Sequence, residues 1–125
     1  MKKIKIAGLS VALLATFAAG TLWGAGKHET LQGYVIDSSC TFTKDLKKPL
    51  SPECAVACAK AGSPLVIQAD DGTIYWPIAG SQPAKGQNDK LLPFAGKWVT
   101  VTGSVYEKGG SRAIVIEKIE GASKR

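Results

Sequence analysis

Three cysteines, Cys40, Cys54 and Cys58, are the concentrated chemistry of this chain, and their spacing is C-x13-C-x3-C. Cys54 and Cys58 stand four residues apart, so on a helix their sulfurs share one face a single turn apart. Cys40 precedes them closely enough to fold back onto that face. Such a trio has three chemical uses. A disulfide from Cys40 to Cys54 or Cys58 would staple the intervening segment, contribute on the order of 3 kcal/mol and leave one thiol free. A bridge within the helix is poorer, because the Cβ vectors do not face one another. Alternatively, the three thiolates bind a soft metal: Cu(I) in trigonal all-sulfur ligation, or Zn(II) with water or an acid as fourth ligand. The third use is thiol–disulfide exchange with Cys54 as nucleophile, although the C-x-x-C spacing of such exchangers is absent.

Other catalytic constellations are missing. His28 is the sole histidine and lies near the start of the expected mature chain, a poor place for a Ser-His-Asp or Cys-His set. Asp37, Asp70, Asp71 and Glu117 fall at expected strand ends or turns and do not form an acid–base pair, and no phosphate loop occurs. The sequence therefore reads as a non-enzymatic binding or interaction module. A second binding surface is suggested by the aromatics. Trp98 shares a strand face with Thr100 and Thr102 and is the candidate for an exposed ring, with Tyr34 and Tyr106 completing a stacking platform for a glycan, a small ligand or a protein partner in the cell envelope. Trp76 shares its face with Ile74 and Ile78 and reads as core.

Charge narrows the partners. The 125 residues carry a formal net charge of +6 from 16 basic and 10 acidic residues, but Lys2, Lys3 and Lys5 belong to the leader, which leaves 13 basic residues against the 10 acids. These are scattered or paired, as in Lys47-Lys48, which argues against nucleic acid. The leader itself is a positive stretch, Met1 to Lys5, an apolar run from Ile6 to Ala19, and then small residues. That layout predicts a signal peptide over residues 1–26, cleaved between about 20 and 26, with a periplasmic or secreted domain over 27–125. Membrane association arises only if the segment stays uncleaved.

The elements that position the cysteines follow from local signals. Leu31 to Asp37 alternates and predicts a first strand; Ser38 to Leu50, holding Cys40, reads as a loop. Ser51-Pro52-Glu53 spells a helix start, with a serine cap, proline in the first turn and an acid at the positive end of the dipole, where Cys54 also gains stabilisation as a thiolate. The helix ends at Gly62. Leu65–Ala69 and Thr73–Ile78 flank the turn Asp70-Asp71-Gly72 and predict a hairpin. A polar connection spans Gly80 to Pro93. Lys97–Tyr106 alternates with Val99, Val101, Gly103 and Val105 on the core face, and Gly109-Gly110 turns it into a last strand, Arg112–Ile119, whose Ala113–Ile116 segment is apolar enough to be covered on both sides.

Five short strands and one helix predict a mainly β domain, a small barrel with a helix-bearing insertion between strands 1 and 2. The run Gly96-Lys97-Trp98-Val99-Thr100-Val101-Thr102-Gly103-Ser104-Val105 resembles the fourth strand of bacterial oligonucleotide/oligosaccharide-binding (OB) domains. Together with Gly33–Cys40 and Cys54–Gly62, it resembles a group of small exported bacterial proteins with an OB-like barrel and a cysteine-bearing helical insertion. The resemblance covers nearly all of the mature chain; it implies the fold and the cysteine pattern and carries no activity. The helix stands before strands two and three, where a common OB domain places it after strand three. The C-x3-C pair resembles the copper motif of exported copper chaperones, which implies Cu(I), but the insertion lacks the histidine those proteins also use.

Overall fold

The computed structural model describes residues 26–124. Of the expected leader over residues 1–26, residues 1–25 lie outside them. Among the described residues no helix is long and apolar enough to cross a membrane.

Five strands close into a barrel in the order β1-β2-β3-β5-β4, an OB-like arrangement. The strands are β1 (Lys27–Asp37), β2 (Leu65–Gln68), β3 (Ile74–Pro77), β4 (Trp98–Lys108) and β5 (Ser111–Gly121). Neighbours are antiparallel except for β3 and β5, which run parallel. β1 is longer than its apolar alternation suggested, because Lys27–Thr30 pair with β4 through their backbones and need no buried side chain. The valines of β4 face inward as expected, and they meet Val35, Leu65, Ile67, Ile114 and Ile116 in the core.

A bulge at Thr102/Gly103 sets the register of β5. Gly103 pairs with Ile116 while Thr102 pairs with Lys118, so Glu117 is the extra residue and Ile116 and Ile119 can both turn toward the core. A Cβ at Gly103 would strike the carbonyl of Val115, so the bulge requires glycine there. Within Ala113–Ile116, Ile114 and Ile116 are buried and Ala113 and Val115 half-buried.

The segment between β1 and β2 carries two helices where one was expected. β1 runs directly into α1 (Ser38–Thr43), and α2 spans Pro52–Lys60. The serine- and threonine-rich α1 lacks helical propensity and is held by side-chain hydrogen bonds. Asp37 caps it by accepting from the Cys40 N–H at 3.1 Å, and the Thr41 and Thr43 hydroxyls donate back to the Asp37 and Ser39 carbonyls. The start of α2 follows its sequence signature: the Ser51 hydroxyl accepts from the Cys54 N–H at 3.0 Å. Gly62, at φ 102°, closes the helix as its N–H and that of Ser63 reach the Ala59 and Cys58 carbonyls.

After β3 the connection is not wholly irregular. A four-residue helix, α3 (Asn88–Leu91), and a 3-10 turn (Leu92–Phe94) occupy the place where a common OB domain carries its helix. Leu91 is fully buried in the core.

Candidate metal centre

α2 presents two adjoining stripes. Ala55 and Ala59, four apart, are buried against the barrel core; Cys54 and Cys58, each one position earlier, turn about 100° away and remain half-buried. Cys40 rises from α1 to meet them. One oxygen of Asp37 and the sulfurs of Cys40 and Cys58 all lie within 4.8 Å of one another. Cys54 stands one turn before Cys58 on the same face of α2, beside this group of three and outside its mutual 4.8 Å contact. All three cysteines are free thiols.

Asp37 is the residue that sequence reasoning left out. Sequence alone presents it as an acid at a strand end, yet it is 3% exposed and its carboxyl adjoins the Cys40 and Cys58 sulfurs. Its Oδ2 accepts from the Cys40 N–H and, at 3.2 Å, from the Ser63 hydroxyl. Ser63 is in turn fixed by Asn88, whose side chain accepts from the Leu65 N–H at 2.9 Å and donates to the Ser63 carbonyl at 2.8 Å. The Ser38 N–H completes the frame by donating to the Pro64 carbonyl at 2.9 Å. A carboxylate thus sits at the junction of β1, α1 and the end of α2, held by groups from each. The sequence signal for it is an N-cap pattern, Asp37 three residues before Cys40, hidden because the residues of α1 carry no helical period of their own.

The electrostatics of the cluster couple its members. Burial pushes the Asp37 carboxyl up, but hydrogen bonds from the Cys40 thiol and N–H and from Ser63 outweigh it and hold the group below its ordinary value of 3.8. The hydrogen bond to this carboxylate, then burial, drives the Cys40 thiol up to about 11. Cys58 is raised by burial first and by the negative charge of Asp37 second. Without a cation the Asp37 carboxylate therefore sits between the protonated Cys40 and Cys58 thiols. A metal ion would reverse that balance by replacing the thiol protons.

The aromatic candidates divide. Tyr34 and Trp98 meet edge-to-face with centroids 4.9 Å apart, and Lys124 lies over both rings, 5.1 Å from the Trp98 centroid, while pairing with Asp70. Trp98 is half-buried beneath this tail rather than freely exposed, and its indole nitrogen is buried. Tyr106 does not join them: it lies eight residues farther along β4, opposite Ala113, so the expected platform of three rings is not assembled. Trp76 corrects the other expectation. Tyr75, not Trp76, packs toward the core, because alternation on β3 turns Ile74 and Trp76 outward. There Trp76 stacks on Phe42 of α1, 6.1 Å between centroids and 19° between planes. Phe42 is 61% exposed, and the pair lines a groove of about 680 Å³ between β3 and the β4–β5 turn that also includes Lys108 and Arg112.

His28 donates no chemistry to the cysteines. It pairs with Glu117 at 3.1 Å on the barrel wall, at the opposite end of β1 from Asp37 and so roughly 30 Å away along the strand.

No family model, curated protein or solved structure matches the chain.

Proposed function

We propose that this protein is a small exported binding module whose cysteine cluster captures a thiophilic metal ion, Zn(II) or Cu(I), through Cys40, Cys54 and Cys58. The observation that carries the reading is convergence: the Cys40 and Cys58 sulfurs, on two helices and with 17 residues between them in sequence, lie within 4.8 Å of each other, and Cys54 stands one turn before Cys58 on the same face. Sulfurs bound to one tetrahedral zinc lie roughly 3.7 Å apart, so rotamer adjustments of about 1 Å suffice. Thiol–disulfide exchange has less support: the C-x-x-C spacing of such exchangers is absent, and Cys40 and Cys58, the neighbours that would resolve a mixed disulfide on Cys54, are held toward the protonated form. A disulfide remains compatible with the same cluster in an oxidising compartment, as a state that blocks the metal site.

The test is a competition titration of anaerobically reduced protein against a chelator of known affinity, with Zn(II) and separately with Cu(I). One ion per chain is expected, and Cys→Ser at each of the three positions weakens uptake by tenfold or more, about 1.4 kcal/mol. Reduced, folded protein that competes for neither ion against a weak chelator overturns the reading.

The stacked Phe42–Trp76 pair favours a second reading: the groove it lines takes a ring-bearing ligand such as a glycan, on a face built from β3 and the β4–β5 turn. Phe42→Ala leaving the binding of glycan-array hits unchanged would remove that support.

A further inference from the structure

We propose that Asp37 is the fourth ligand of the cysteine site, closing a three-sulfur, one-oxygen tetrahedron that accepts a divalent ion of the zinc type and disfavours Cu(I). The inference rests on the thiolate-site reading and narrows it to one class of ion.

Geometry gives the first argument. The Asp37 oxygen is mutually within 4.8 Å of the Cys40 and Cys58 sulfurs, while Cys54, one turn before Cys58 on the same face of α2, lies outside that group and must swing in to complete the set. A carboxylate oxygen on zinc bonds at roughly 2.0–2.2 Å and a thiolate at roughly 2.3 Å, which places ligand atoms about 3.5–3.8 Å apart, a small contraction for Asp37, Cys40 and Cys58. The second argument is orientation. Metal-bound carboxylates are held by outer hydrogen bonds, and Asp37 already receives the Cys40 N–H and the Ser63 hydroxyl on Oδ2, with Asn88 fixing Ser63. The carboxylate is buried and aimed before any ion arrives.

Charge and softness give the third. Three thiolates and a carboxylate bring four negative charges into a poorly solvated place, and a dication cancels half of them. Cu(I) cancels only one, and as a soft ion it prefers the sulfurs and leaves the carboxylate as an unligated neighbouring charge. The same residue thus improves the site for Zn(II) and worsens it for Cu(I). An acid placed by the strand that enters the insertion would act as a selectivity element for the cysteines that the insertion carries.

Asp37→Asn tests this because asparagine keeps the N-cap and the acceptor for Ser63 while losing the charge. Expected is a loss of Zn(II) affinity of about tenfold or more, with Cu(I) affinity unchanged or higher. Ser63→Ala, which removes a hydrogen bond without removing a ligand, should shift Zn(II) affinity less than Asp37→Asn. A readout on the unaltered protein avoids dependence on the variant's folding: the infrared difference spectrum on Zn(II) addition should show a buried carboxylate stretch moving. Wild-type protein that binds neither ion defeats the thiolate reading as a whole. Zn(II) bound equally by wild type and Asp37→Asn, or no carboxylate shift in the wild type, defeats the assignment of Asp37 alone.

Discussion

At the residue scale, Asp37 organises the cluster by opposing demands. It caps α1, accepts from Ser63 and holds the Cys40 thiol. Because Cys40 is raised from 9.0 to about 11 in the folded protein, its contribution to stability is complete below pH 9 and is lost as pH climbs from 9 through 11. Asp37, held below 3.8, does the reverse: its contribution is present above that value and is lost on acidification. Urea denaturation of metal-free reduced protein should therefore weaken on both sides, and Cys40→Ser should flatten the alkaline limb; an unchanged limb would contradict the thiol–carboxylate pair. Burial also orders reactivity. Alkylation at neutral pH should modify half-buried Cys54 well before Cys40, which is 8% exposed, and mild oxidation should join Cys40 to Cys58, as peptide mapping would read out. Of the proposed ligands the sequence showed the three cysteines, because cysteine announces itself by type and spacing. The fourth was an ordinary acid whose role depends on a helix too short and too rich in β-branched residues to show a period.

At the element scale, the site depends on how α2 is seated. Gly96 has φ 79°, and a Cβ there would collide with the backbone of Pro52 at the first turn of α2. Gly96→Ala should cost on the order of 1–3 kcal/mol and displace the turn that carries Cys54, a change measurable as a lower melting temperature and weaker metal uptake. Asn88→Ala tests the other end. It removes the acceptor of the Leu65 N–H and the donor to Ser63, at about 1–3 kcal/mol for the groups left unpaired. Retained stability in either variant would show that the insertion docks by other means. The helix start at Ser51-Pro52 was legible because capping chemistry is local. The α3 helix was not, since four residues within a polar connection give no periodic signal, and its anchor, Leu91, is recognised only once the core surrounds it.

At the scale of the whole molecule, the barrel forms the frame and the insertion carries the three cysteines. Strand alternation made the barrel legible: the β4 valines, the hairpin at Gly72 and the turn at Gly109-Gly110 all fall where the pattern put them. The aromatic surface was not, because alternation states which residues share a face without stating which face is inside. For β3 the inward residue is Tyr75, and Phe42 reaches Trp76 from a different element. A metal that binds only the folded cluster must stabilise the whole domain by mass action, by about 2.7 kcal/mol at a hundredfold excess over the dissociation constant. The central claim is tested most directly by titrating anaerobically reduced protein with Co(II), a spectroscopic stand-in for zinc. Sulfur-to-cobalt charge-transfer and strong tetrahedral d–d bands are expected, saturating at one equivalent and bleaching when Zn(II) is added. Weak, octahedral-type absorption with no saturation would contradict it.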